Sequence, residues 1–145
     1  MSDPCVDLYT TFQPLALPPD LDTYLARRES THEDIMPGTE KKIVSVHTLG
    51  KQTPLSIVYV HGFSASRQDT APLAAEIAAQ LHANLYSTRL RGHVRGGEAM
   101  LDGSVNGWVN DIHEAVEINR EALGTSDGNY VDLYGRDSGG LAGRA

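Results

Sequence analysis

At 145 residues the chain is long enough to bury one real core and too short for two ordinary domains. Its 12 Lys and Arg against 19 Asp and Glu leave a dispersed formal charge of −7, which argues against nucleic acid or an anionic membrane as the main partner. A single cysteine, Cys5, excludes an internal disulfide framework, no apolar run approaches the ~20 residues of a membrane helix, and no basic stretch leads into an apolar one near Met1, so the expected compartment is the cytoplasm.

Residues 1–40 read as an irregular lead-in with one short helix. Pro4, Pro14, Pro18 and Pro19 interrupt any steady period. From Asp20 to Arg28, Asp20 can cap a helix, Leu21, Tyr24 and Leu25 share a face, and Arg27 and Arg28 suit the negative end of the dipole. Glu29 to Glu40 is polar and turns at Pro37-Gly38. Lys41 to Thr48 then reads as a strand, and Gly50 to Pro54 as a hairpin-like turn that predicts antiparallel pairing with the strand that follows.

That following stretch is central. Ser56-Ile57-Val58-Tyr59-Val60 lacks polar alternation, which suits a strand covered on both faces, and it ends abruptly in His61-Gly62-Phe63-Ser64-Ala65. Thr70 to His82 follows a helical period, with Leu73, Ile77 and Leu81 four apart. Asn84 to Thr88 makes another strand, running into a loop rich in arginine and glycine from Arg89 to Gly97. Val105 to Leu123 predicts a long helix with Val105, Trp108, Val109, Ile112 and Val116 on one side and Asp111, Glu114, Glu117 and Glu121 mostly on the other; Gly124 fits its C-cap. Asn129 to Tyr134 is a last strand, opening into Gly135-Arg136-Asp137-Ser138-Gly139-Gly140, the outline of a nucleophile elbow. Strands separated by helices predict an α/β fold with a mainly parallel sheet and flanking helices over residues 41–145.

Four features in this order resemble the α/β-hydrolase superfamily. They are the His61-Gly62-Phe63 loop, the Arg91-Gly92-His93 loop, the helix bearing Trp108 and the turn from Gly135 to Gly139. The chain is most similar to the N-terminal half of bacterial esterase, lipase and lysophospholipase-like members, from about Lys41 to Ala142. The resemblance implies carboxylic-ester hydrolysis on a small-molecule ester or acyl substrate, with no cofactor and no metal. It also implies an oxyanion hole made by the backbone N–H groups of Phe63 and of the residue after the nucleophile. His61 and Gly62 would order that loop.

The chain departs from the esterase pattern at the elbow. With Gly135 and Gly139 as the flanking small residues, the nucleophile position falls on Asp137, and Ser138 then supplies an oxyanion N–H. Making Ser138 the nucleophile puts Arg136 where the crowded turn requires a small side chain. An Asp nucleophile resembles the epoxide hydrolase and dehalogenase branch, and a non-catalytic remnant or binding module is a third reading. The triad's acid and His follow the elbow in this superfamily, so with Ala145 as the last residue the chain is expected to be truncated, with the C-terminal half of the fold absent, and inactive as it stands. Among the remaining candidates, Asp111 reads as a surface or capping charge and Trp108 as core. Arg89, Arg91 and Arg95 read as a solvated loop with local ion pairs, and His93 and His113 lack partners at metal-ligand spacing.

Overall fold

The computed structural model describes residues 11–48, 50–123 and 133–134. Helix α1 (Leu21–Glu29) is capped by Asp20, whose Oδ1 accepts the Thr23 N–H at 3.0 Å. Strand β1 (Lys42–Val44) follows, then β2 (Ser56–Tyr59), helix α2 (Leu73–Gln80) and β3 (Asn84–Ser87). A 3-10 turn at Gly97–Asp102, unforeseen in the loop, leads to helix α3 (Val105–Ile118). Ser104 caps α3 by accepting the Gly107 N–H at 3.0 Å, and a π-helical turn at Asn119–Leu123 extends it. Strand β4 (Leu133–Tyr134) completes the set. No helix among the described residues is long and apolar enough to cross a membrane.

The four strands form one mixed sheet in the order β1-β3-β2-β4, and the chain is of mixed α/β class. Strand β2 pairs in parallel with β3 on one side and with β4 on the other, whereas β1 pairs antiparallel with β3. The expected hairpin of β1 with the central strand is therefore corrected: β3 lies between them. Turn residues at 50–54 mark a reversal of direction but carry no information about which edge the earlier strand joins.

The crossover from β2 to β3 and the one from β3 past β2 to β4 run in opposite directions across the sheet, so their helices cover opposite faces. The strand's own alternation agrees. Ile57 and Tyr59 join Leu85, Ala83 and Ala78 of α2 in one cluster. Val58 and Val60 join Tyr86, Leu90, Leu25 of α1, and Ala115 and Ile118 of α3 in the other. The lead-in helix is thus part of the core. On α2 the buried side chain is the small Ala78, while Leu73 and Leu81, expected to face inward, are 55 % and 53 % exposed. A small residue at the contact lets the helix approach the sheet closely and turns its larger neighbours to the flanks.

Asn84 ties the amino ends of the strands together. Its fully buried Nδ2 donates to the carbonyls of Lys51 and Leu123, both at 2.9 Å, and its Oδ1 accepts the Val46 N–H at 3.2 Å. Thr53 Oγ1 accepts the Asn84 N–H at 3.1 Å. A buried amide with every group satisfied specifies position as well as stability.

Candidate functional site

In an open α/β sheet, a crevice forms at the carboxyl ends of the strands where successive crossovers diverge. Here that point is the end of β2, and His61, Gly62 and Phe63 occupy it. His61 is buried and both its ring nitrogens are engaged. Nδ1–H donates to the Gly62 carbonyl at 2.9 Å, and Nε2 accepts the Leu90 N–H at 3.0 Å. A carbonyl can only accept and an amide can only donate, so the ring is neutral with its proton on Nδ1. Burial pushes the His61 pKa down to about 4, and the bond to Gly62 only partly opposes this.

The same hydrogen bond aims the next amide. The Gly62 carbonyl also accepts the Ala65 N–H at 3.2 Å, so it points into the loop. Across a trans peptide the following N–H points the opposite way, and among the described residues nothing accepts the Phe63 amide proton. Ser64 adopts a φ of 58°, a conformation that a non-glycine residue holds only where its surroundings impose it.

The loop after β3 faces the loop after β2. His93 stacks at 4.9 Å from His61, 5.8 Å from Phe63 and 5.6 Å from Trp108, and Phe63 and Trp108 are 6.1 Å apart, edge to face. Trp108 Nε1–H donates to the Arg91 carbonyl at 2.9 Å, so the indole both borders the core and clamps this loop. Gly92 is required: its φ is +81°, and a Cβ there would lie 2.7 Å from the Ala99 carbonyl oxygen. Burial lowers the His93 pKa, and its Nε2 is buried without a partner among the described residues. Phe63, by contrast, is 66 % exposed and roofs the cluster.

Behind this loop lies a buried ionic network that the sequence does not announce. Asp111 and Glu114, expected on the solvent side of α3, are 5 % and 4 % exposed. Glu114 accepts the Tyr24 hydroxyl at 2.7 Å and Lys41 Nζ and forms an ion pair with Arg28 Nε at 3.0 Å, while Asp111 accepts the Arg91 N–H at 2.6 Å and lies 3.9 Å from Lys41. Burial raises both carboxyls. Lys41, Tyr24 and Arg28 reverse that for Glu114 and hold it below its usual value, but for Asp111 burial prevails and its pKa is raised. Burial together with Glu114 pushes the Tyr24 phenol up to about 12, so it stays a donor.

Arg89 is likewise no solvated loop residue. It is buried and grips Glu29 through Nε at 2.8 Å and Nη2 at 2.9 Å, a bidentate pair that outweighs burial and holds the Glu29 carboxyl below its normal value. Arg95 makes one local pair, with Asp102 at 3.2 Å, and a second with Asp34 at 2.7 Å from the segment before β1.

The structure therefore brings His61, Gly62 and Phe63 to one end of the sheet beside His93 and Trp108. Gly135, Asp137, Ser138 and Gly139 lie outside the described residues, as does most of the strand expected before them. His113 stands apart, its ring 4.8 Å from Phe12. A comparison with protein-family models finds no match, and a search of curated proteins finds none either.

Proposed function

We propose that this chain carries the oxyanion-holding part of an α/β-hydrolase of the carboxylic-ester class, acting on small-molecule esters or related acyl compounds. One observation carries the reading: the Phe63 amide is turned outward and unbonded among the described residues, at the carboxyl end of the central strand, by a loop that spends both nitrogens of a buried neutral histidine on its own geometry. Pre-aimed backbone donors of this kind stabilise charge that develops on a carbonyl oxygen, typically lowering the barrier by about 3 kcal/mol per donor. The strand arrangement supports the same reading. Strand β4 runs parallel to β2, so the carboxyl ends of both face one way.

In this reading the elbow residue, Asp137 or in the alternative register Ser138, attacks the acyl carbon. The carbonyl π electrons move to oxygen, where the N–H groups of Phe63 and of the residue after the nucleophile would hydrogen-bond the oxyanion, and their return expels the alcohol, protonated by the His that this superfamily places after the elbow. His61 is not the proton carrier, since both its nitrogens are occupied.

The test is hydrolysis of p-nitrophenyl butyrate by the chain extended past Ala145 with the C-terminal half of an esterase of this superfamily, as Asp137 and Asp137→Ser forms. Turnover in the Ser form is expected; a cooperatively melting chimera with no turnover in either form overturns the proposal. The Gly135 and Gly139 spacing around Asp137 keeps the Asp-nucleophile alternative alongside. It predicts a covalent ester on Asp137, seen by mass spectrometry after incubating that chimera with styrene oxide, and an unmodified Asp137 during turnover rejects it.

A further inference from the structure

On the α1 and α3 side of the sheet, a cleft of about 410 Å³ is lined by Glu29 of α1, the loop after β3 and Asp111 of α3. That is within the size range of small-ligand sites. In a chain whose acids outnumber its bases 19 to 12, five of the bases line this one cleft: Arg28, Lys41, Arg89, Arg91 and Arg95. The carboxylates around it are largely engaged. Glu29 holds Arg89, Asp34 and Asp102 hold Arg95, and Glu114 takes Lys41 together with Nε of Arg28. Asp111 spends one oxygen on the Arg91 backbone N–H and stands 3.9 Å from Lys41 with the other.

Arg91 is the exception among the five cations. Its guanidinium makes no ion pair among the described residues, although Asp111 feels its charge through space. All its hydrogen bonds use the main chain: the N–H to Asp111, and the carbonyl from Trp108 and His93. The side chain lies across Gly107 in the first turn of α3, where a Cβ would come within 3.3 Å of Cδ and 3.5 Å of Nε. A cation is thereby set beside the positive end of a helix dipole, an arrangement that favours an anion between them. Arg28 pairs with Glu114 through Nε at 3.0 Å and lies over the Tyr24 ring at 5.6 Å, yet 47 % of its side chain remains exposed where it lines the cleft.

We propose that this cleft binds a small ligand through an oxyanion group, a carboxylate or a phosphate, held by the planar forks of Arg91 and Arg28. A guanidinium presents coplanar N–H donors that match either anion bidentately, which a lysine cannot do. The site stands independently of the ester-hydrolase reading, because it needs neither the Phe63 amide nor the elbow.

The chain itself is titrated calorimetrically at constant ionic strength with inorganic phosphate and, separately, with succinate. Saturable binding of one or both is expected, with at least tenfold weakening in Arg91→Gln and none in Arg67→Gln, which lies outside the cleft. The stronger binder identifies the group as phosphate or carboxylate. No saturable binding of either anion, or equal binding by the Arg91→Gln chain, overturns the proposal. Arg91→Gln keeps every main-chain bond; should it nevertheless lose its cooperative melt, Arg28→Gln decides, weakened binding supporting the site and unchanged binding rejecting it.

Discussion

The two faces of the sheet solve the burial problem differently. Against α2 the contacts are wholly apolar: Ile57, Tyr59, Ala78, Ala83 and Leu85, with Val44, Leu55, Ala74 and Ile77 around them. Against α1 and α3 a comparable apolar cluster is joined by Glu29, Lys41, Arg89, Asp111 and Glu114. Apolar contact yields stability at roughly 25 cal/mol per Å² with little dependence on pH. Buried ions yield little net stability, because desolvation offsets most of the attraction, yet removing one partner leaves the other stranded. The first face is built to hold. The second holds only while every partner is present, and it is the face that fixes the loop carrying Arg91 and His93.

Breaking the charged face is expected to have the largest effect. Glu114→Ala takes the closest carboxylate from Lys41, leaving Asp111 at 3.9 Å, and removes the acceptor of Tyr24 and the counter-charge of Arg28. Loss of about 3–5 kcal/mol is expected in urea unfolding; a loss under about 1 kcal/mol would mean the network is solvated. Acid comes next. With the folded His61 pKa near 4 against about 6.5 unfolded, the unfolded chain takes up the proton first as pH falls, so this contribution is complete above 6.5 and fades toward 4. The loss is on the order of 3 kcal/mol by pH 4. His32 and His93, also lowered, act in the same direction, and the depressed carboxyls Glu29 and Glu114 add to it at the acid end. The His61 share is the difference in slope between the parent and His61→Gln, and equal slopes would show that the imidazole is not kept neutral. The smallest effect belongs to the apolar face: Ile57→Val should cost about 1 kcal/mol, and the same amount at pH 5 and pH 8. A pH-dependent cost would mean that the two faces are coupled.

What was legible in the sequence follows the same division. Strand β2, helix α2 and strand β3 fall close to the spans that apolar runs and helical periods predict, because burial of apolar groups is what those patterns encode. Helix α3 was legible in extent, but its buried stripe runs through Asp111, Glu114, Ala115 and Ile118 rather than through Val105, which is 59 % exposed. A helical wheel assigns carboxylates to water. Only distant partners reverse that assignment, among them Lys41 and Tyr24, 73 and 90 residues away, and both stand at the edge of, or within, a lead-in that reads as irregular with one short helix. At the candidate site, the strand end and glycine marked His61-Gly62-Phe63, whereas the Leu90 amide that fixes the histidine tautomer comes from a different loop and left no local signal.

The Asn84 joint also bears on how the protein can be made. Its amide bonds to the carbonyl of Leu123, 39 residues further along. Synthesis proceeds from the amino end, so β2 and β3 emerge while this acceptor is still unmade or inside the ribosomal tunnel. That end of the sheet cannot close until all of α3 and its π-helical extension have emerged, and until then water must serve the Asn84 amide in place of the Leu123 carbonyl.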